Sequence, residues 1–139
     1  MSAVAAGLQW LDTTLTGDAT YMSYLPGGLH RSQAPVTVPP VIFPLGIIHP
    51  QSLMDKNSAT ALRIYSPDLF LVKAVGDQAG LQALINAADR AYVLLNRVNA
   101  TVSNGIILAS YREQEVYYSE TTGGIERIHL GGLYRMQIK

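Results

Sequence analysis

The stretch IERIHLGGLYRMQI, residues 125–138, alternates apolar and polar side chains with the period of two that indicates a β-strand. Its apolar face consists of Ile128, Leu130, Tyr134, Met136 and Ile138. Its opposite face consists of Arg127, His129, Leu133, Arg135 and Gln137. We expect the apolar face to pack on a long helix, and the opposite face to meet water, a neighbouring subunit or a nucleic acid. The Gly131-Gly132 pair within the strand indicates a bulge or a close backbone approach.

Two further strands are predicted upstream of this one. The apolar run LFLVKAV at 69–75 has the length and composition of a central strand. A second strand begins at Gly105 and continues to Tyr118, and residues 119–124 form a hairpin loop that leads into the last strand. In the N-terminal half, 41–43 and 47–48 are shorter strand pieces. Because the proline at position 44 cannot donate to a ladder, they predict an edge strand or a broken one.

Helical periodicity occurs in two places. Residues 3–15 predict a short helix that ends at Gly17-Asp18, with a further helical turn within 18–25. The stronger pattern follows Asp77, which suits an N-cap, and its apolar side chains keep helical spacing as far as Val98. Residues 49–61 are predicted to be a surface loop.

The order of these elements predicts the fold class. We expect an α+β fold in which an antiparallel sheet of about four strands has a long helix and a short N-terminal helix packed on one face. The length of 139 residues is that of one domain, so residues 1–139 are expected to form a single unit.

Composition favours assembly. Only 14% of the residues are charged, whereas a soluble domain usually carries about 25%. Neutral or apolar surface must therefore remain outside, and such surface is often covered by another subunit. The alternative is that Ser, Thr, Asn and Gln solvate the surface without charge. The formal net charge is zero and shows no basic stripe of the kind that nucleic-acid binders carry.

Several functional classes lack their sequence signals. The chain has no cysteine, which excludes disulfides, thiolate zinc sites and a cysteine nucleophile. The first fifteen residues lack the basic start of a signal peptide, and no apolar run has the length of a membrane span, so we expect neither. No nucleophile elbow or phosphate-binding glycine loop is present.

Catalytic and metal-binding groupings are equally sparse. The histidines at positions 30, 49 and 129 have no second ligand at metal-site spacing. Glu113 and Glu115 are expected on one face of a strand, about 7 Å apart, and a solvated strand end explains them better than a glycosidase pair. We expect no enzymatic activity, no cofactor and no metal. Tyrosines at 111, 117, 118 and 134 suit either an interface or simply a strand.

The chain resembles the tail terminator or tail-completion proteins of long-tailed phages and prophages. The segments that carry the resemblance are APVTVPPVIFPLG at 34–46, LFLVKAVG at 69–76, AADRAYVLLNR at 87–97 and YREQEVYYSETTGGIERIHLGGLYRMQI at 111–138. The ending GGIERIHLGGLYR is the most specific of these. Together they extend over most of the chain.

The resemblance implies a structural virion subunit that caps the head-proximal end of the tail tube. Such a subunit assembles with itself as a homo-hexameric ring, stops polymerisation of the tail tube protein and offers a joining surface to the head connector or stopper protein. Double-stranded DNA passes through the lumen without being read, and zero net charge fits that passage. The expected location is the head-proximal end of the virion tail, and the host cytoplasm before assembly, with no membrane involved.

The surfaces expected to make these contacts are the second face of the last strand and the 49–61 loop. The candidate subunit or partner interface residues are Arg127, His129, Leu133, Arg135, Tyr117, Met54, Asp55 and Lys56. Charge reversal at Arg127 or Arg135 is expected to impair assembly while leaving the fold intact. The alternatives are another neck or head-completion protein, a small-ligand-binding α+β domain with a pocket between sheet and helix, and, third, an enzyme.

Overall fold

The computed structural model describes residues 3–32, 41–53, 56–57 and 63–139. Its helices are α1 (Ala3–Thr16), α2 (Ala19–Ser23) and α3 (Leu81–Leu95), and a 3-10 turn at Gln78–Gly80 precedes α3. Its strands are β1 (Leu29–Arg31), β2 (Leu45–Ser52), β3 (Lys56–Asn57), β4 (Arg63–Gly76), β5 (Val98–Val102), β6 (Gly105–Thr122) and β7 (Ile125–Ile138).

The strands form one mixed sheet that curls into a half-barrel. Six strands follow the order β1-β2-β4-β7-β6-β5, and the short β3 pairs with β4 beside this path. β1 is parallel to β2, and the other pairs are antiparallel. The predicted four-stranded antiparallel sheet with a helix layer is therefore wrong. The prediction missed β1 and β5, which are three and five residues long and too short to show a period.

Buried apolar side chains of α1 and α3 hold these helices in the main core. Residues Ala6, Leu11 and Leu15 of α1 are fully buried, as are Leu84 and Leu95 of α3. The side chain of Asp77 caps the 3-10 turn by accepting from the Gly80 amide at 3.0 Å, as its N-cap prediction required. The helix ends at Leu95 and not at Val98, because Val98 already pairs with Ser110 as the first residue of β5.

The predicted second helical turn is confirmed as α2, and an ion pair ties it to α3. Asp18 caps α2 by accepting from the Tyr21 amide at 2.7 Å. The same carboxylate accepts from Arg90 at 2.7 and 3.1 Å. The Arg90 hydrogen bond, followed by the Tyr21 amide, lowers the pKa of Asp18. The cap thus remains charged at neutral pH and fixes α2 against α3.

The N-terminal strand region differs from its prediction. β2 lies inside the sheet, because β1 covers its outer side at Gly46–Ile48. Pro44 stands before β2, after a cis peptide bond, and so removes no ladder bond. The expected strand piece at 41–43 is instead irregular chain. The loop expected at 49–61 is wrong in part, because 49–52 belong to β2 and 56–57 form β3, while 54–55 and 58–61 lie outside the described residues. Val41 and Phe43 pack on Leu45, Ile47 and Val75 as a small second core.

Cross-strand register divides the sheet into two faces, which we call the helix face and the open face. On the helix face, Phe70, Val72 and Tyr134 join the main core with α1 and α3. On the open face, β7 presents Arg127, His129, Leu133, Arg135 and Gln137, and β4 presents Leu69, Leu71 and Lys73 opposite it. The predicted alternation of β7 is therefore confirmed, and the small second core covers one end of the open face.

The glycine pair in β7 provides the predicted close backbone approach. A Cβ atom at Gly131 would overlap the carbonyl oxygen of Val72 on β4. At Gly132 the nearest atom is Cδ of the Arg112 side chain, at 2.7 Å from the Cβ position. A side chain at Gly131 must therefore push two backbones apart, whereas one at Gly132 needs only a movement of a long side chain.

This difference predicts unequal costs for two adjacent substitutions. Gly131→Ala should lower the free energy of unfolding by about 3 kcal/mol, because overpacking against backbone strains the central strand pair. Gly132→Ala, its matched control, should lower it by about 1 kcal/mol or less. Urea denaturation of both variants measures this, and equal losses would contradict the close approach of β7 to β4.

Candidate functional site

The β6–β7 hairpin extends beyond the rest of the sheet as an arm. β4 pairs with β7 only as far as Ile128, so residues 125–127 pair with β6 alone. On the outer side of β6, β5 pairs only with residues 105–110. Residues 111–122 therefore have a single neighbouring strand within the described part of the chain. The hairpin turn itself is only Gly123-Gly124, shorter than the predicted loop at 119–124.

Four side chains on the open face form a cluster at the base of this arm. The Nζ atom of Lys73 donates to the hydroxyl oxygen of Tyr118 at 2.7 Å. The Tyr118 ring stacks on the His129 ring, with centroids 4.4 Å apart and planes 8° from parallel. Nε2 of His129 lies 2.9 Å from Oε1 of Glu120. Gly131 stands between Lys73 and β6 and leaves room for the lysine side chain to cross β7.

His129 is uncharged in this setting. The residue His129 is 5% exposed. Burial, followed by the positive charge of Lys73, lowers its pKa below the usual 6.5. The hydrogen bond to Glu120 acts on the pKa in the opposite direction. The contact with a carboxylate assigns the proton to Nε2. Nδ1 has no hydrogen-bond partner among the described residues. The rings of Tyr118 and His129 therefore form a packed, neutral stack, and the contact of His129 with Glu120 is a hydrogen bond and not an ion pair.

The arginines near the arm are all held by the protein itself. Arg135 donates to the Pro67 carbonyl at 3.0 Å and to Glu113 at 2.9 Å. Arg112 pairs with Glu115 at 3.1 Å and lies 4.2 Å from the ring centroid of Tyr92. Arg127 lies 4.1 Å from the ring centroid of Phe43. These side chains are thereby fixed over aromatic rings and carboxylates rather than extended into water.

The two glutamates considered as a possible catalytic pair are separated by the local geometry. A register shift between Arg112 and Gln114 places a bulge at Glu113. Glu113 pairs with Arg135 on the open face, while Glu115 stands opposite Gly132 and pairs with Arg112. The expectation that both carboxylates share one face is therefore wrong, because it assumed an unbroken alternation along β6.

The predicted interface residues divide into three groups. Arg127, His129, Leu133 and Arg135 do lie together on the open face of β7, but His129 is buried. Tyr117 stands opposite Leu130 on the helix face and is 64% exposed. Among the rest, Lys56 lies in β3, and Met54 and Asp55 lie outside the described residues.

Two members of the cluster, Lys73 and Glu120, were not predicted, and Tyr118 was noted only as one of four tyrosines. Their closeness to His129 depends on cross-strand register. One signal was present for Lys73, because it is the only charged residue in the apolar run at 69–75. A charge inside a central strand needs a partner or an open face.

Two cavities lined by described residues are small or shallow. The space between α3 and the sheet, lined by Tyr21, Val72 and Ala87 among others, is about 10 Å³, which is about the volume that one water centre needs. A depression of about 280 Å³ lies along β5 and the start of β6. The described residues include no group of three or more His, Asp or Glu side chains that could hold a metal ion. Nor does that part of the chain contain a helix long and apolar enough to cross a membrane.

The fold is similar to that of a chain from a solved virus-like particle. No family model and no curated protein matches the sequence. A chain from the virion of a native gene transfer agent particle superposes with a TM-score of 0.68 and is 14% identical in sequence. The match covers 93% of this chain and 92% of that one. At this identity the comparison shows a shared fold over nearly the full length of both chains.

The buried state of His129 predicts a pH-dependent stability. Because the pKa is lower in the folded protein than its ordinary 6.5, the contribution is fully present above pH 6.5. It falls as the pH drops below 6.5 and the unfolded chain takes up a proton that the folded chain excludes. His129→Phe keeps the stack with Tyr118 but cannot titrate, so it should lose less stability between pH 7 and pH 5 than the parent chain.

Thermal or urea unfolding of the parent chain and His129→Phe across this pH range measures the difference. His30→Phe serves as the control, since that ring bonds the Gly27 carbonyl at 2.8 Å and lies outside the cluster. Parallel pH profiles for the parent and His129→Phe would contradict the role of the buried ring.

Proposed function

We propose that this chain is a non-enzymatic structural subunit of a phage-like virion. The observation that carries the proposal is the fold match to a gene transfer agent virion chain over 93% of this chain. The match also covers 92% of the neighbour's chain, so the likeness concerns the fold as a whole and not a shared motif. The low charged fraction agrees with a protein whose surface is covered in an assembly.

Within that class, we propose a tail terminator. The chain caps the head-proximal end of the tail tube as a homo-hexameric ring, stops polymerisation of the tube protein and presents a surface to the head connector. Support comes from the resemblance of the ending GGIERIHLGGLYR at 123–135 to tail-completion proteins. It would act in the virion tail after assembly in the host cytoplasm.

The charge arrangement on the open face suits a surface past which DNA moves. Arg135 is neutralised by Glu113, and Lys73 donates to Tyr118. Affinity for the phosphate backbone rises with the number of cations that are free to neutralise phosphates. Because these cations are occupied within the protein, the face would hold double-stranded DNA weakly and let it slide.

Two alternatives remain distinguishable. Another neck or head-completion protein would share the same kind of fold match and differ in its position within the particle. A small-ligand-binding domain is less supported, because the cavity between α3 and the sheet is only about 10 Å³ and ligand pockets usually exceed about 300 Å³.

Removing the chain tests the terminator proposal. Particles produced without it should carry tail tubes longer than normal and unjoined to heads, because nothing stops tube growth. Negative-stain electron microscopy measures tube length, and expression of the parent chain from a second copy should restore it. Tails of normal length joined to heads would contradict the proposal. Normal-length tails without heads would point instead to another neck protein.

Charge reversal tests the open face of the arm. Arg127→Glu should lower the yield of joined particles, because the Arg127 guanidinium lies over Phe43 at the base of the arm, where a partner would meet it. Arg31→Glu is the control, since Arg31 lies on β1 at the far edge of the sheet and is also exposed. It loses an exposed ion pair with Asp12 at 3.0 Å, so its melting temperature is measured as well. Equal yields for both variants, with unchanged melting temperatures, would contradict the involvement of this face.

Arg135→Glu tests the same face, but it also removes contacts that stabilise the fold. It would place a carboxylate next to Glu113 and leave the Pro67 carbonyl without its donor, so stability should fall together with assembly. The expectation that reversal at this position leaves the fold intact therefore needs the melting temperature as a companion measurement.

A further inference from the structure

The longest uncovered feature of the described chain is the outer edge of β6. The Arg112 N–H is bonded by Oδ1 of Asn96 at 2.9 Å. Beyond it, within the described part of the chain, residues 113–122 pair only with β7, so one side of this strand presents its backbone N–H and C=O groups unpaired over about 33 Å. Nearly every residue from Tyr111 to Thr121 is exposed. Natural proteins rarely leave so long an edge open, because it is a template for another strand.

Prolines, bulges and charged side chains usually protect such an edge, and this segment has little of that protection. No proline occurs between 111 and 122, and one bulge at Glu113 is the only irregularity. The three carboxylates of this segment each have a partner within the chain: Glu113 pairs with Arg135, Glu115 pairs with Arg112, and Glu120 hydrogen-bonds His129. Two of the three negative charges that would repel an incoming strand therefore have an arginine beside them. Between them stand Val116, Tyr117 and Tyr118, which suit an interface.

We propose that the edge of β6 is covered by the same edge of a second copy of this chain, in an antiparallel pairing about a two-fold axis at Val116. Every copy presents this edge, and a two-fold interface uses the same patch on both partners. An axis at Val116 lies within the free segment, and the two edges then overlap from residue 113 to residue 119. The pairing concerns the isolated chain and does not rest on the tail-terminator proposal.

Side-chain chemistry favours this register over the two registers on its N-terminal side. With the axis at Val116, two valines face each other, Glu115 faces Tyr117 of the second copy, and Gln114 faces Tyr118. An axis at Glu115 would bring two carboxylates into direct opposition, and one at Gln114 would bring Glu113 towards Glu115. Like charges directly opposite in a sheet are destabilising, whereas tyrosine beside a polar partner is favourable.

Cysteine substitution tests the register directly, because the chain contains no other cysteine. Antiparallel partners have Cα atoms about 4.5–5.5 Å apart, which is within disulfide range, so oxidised Val116→Cys should form a covalent dimer. Gln114→Cys should not, since its copies would stand about four residues apart along the strands. Leu108→Cys is the exposed control on the part of β6 that β5 already covers.

A charge pair at Tyr117 tests the same register without cross-linking. Tyr117 is 64% exposed, so substitutions there should leave the fold intact. Tyr117→Glu would face Glu115 of the second copy twice and should raise the dimer Kd by on the order of tenfold. Tyr117→Lys would face the same glutamate with the opposite charge and should leave the Kd unchanged or lower it.

The mass of the purified chain by light scattering completes the experiment. A dimer that cross-links at Val116 but not at Gln114, and that separates with Tyr117→Glu only, is the expected result. A monomer at all concentrations overturns the proposal. Equal cross-linking at 114 and 116, or equal effects of the two Tyr117 variants, also overturns it. None of these results depends on tail length or head joining, so a failure here is distinct from a failure of the terminator proposal.

Discussion

The rest of the structure depends on the pairing of β4 with β7. The register runs without a break from Ser66 opposite Ile138 to Gly76 opposite Ile128. Because the side-chain period of a strand is two, this register assigns every residue of both strands to the helix face or the open face. A slip by one residue would turn Tyr134 out of the core and bring Arg135 into it. The glycine at 131, pressed against the Val72 carbonyl, is where the register is most tightly fixed.

The predictable parts of the fold are those in which the residues within a single strand or helix are enough to identify it. β7, with its bounds and its two faces, follows from the alternation at 125–138, and the N-cap at Asp77 follows from residue type. The mixed topology was not predictable in this way. β1 is three residues long and lies beside β2 only because Gly27 and Gly28 turn the chain back onto it, a relation that no local period records.

The candidate site also depends on cross-strand register, which a local sequence pattern does not record. His129 was predicted on a polar face, where a solvated charge would be the ordinary expectation. Its burial comes from Tyr118 on one neighbouring strand and Lys73 on the other, which are brought to it by register alone. The bulge at Glu113 has a similar effect, since it sends two carboxylates to different faces although their spacing in sequence is that of one face. The residue types were visible in the sequence, but the neighbouring side chains that determine their burial and charge were not.

These two effects combine at the arm. The bulge directs Glu113 to Arg135, and the buried stack directs Glu120 to His129, so both glutamates bond side chains of β7, while the outer backbone edge of β6 has no strand partner beyond Arg112 among the described residues. A sheet that covers one face with helices but leaves a long stretch of β6 unpaired still has hydrogen-bonding capacity to satisfy, and water can satisfy it only at the loss of the pairing that another strand would provide. The low charge of the chain and the open edge of β6 therefore both agree with the proposed pairing of β6 with a strand of a second copy.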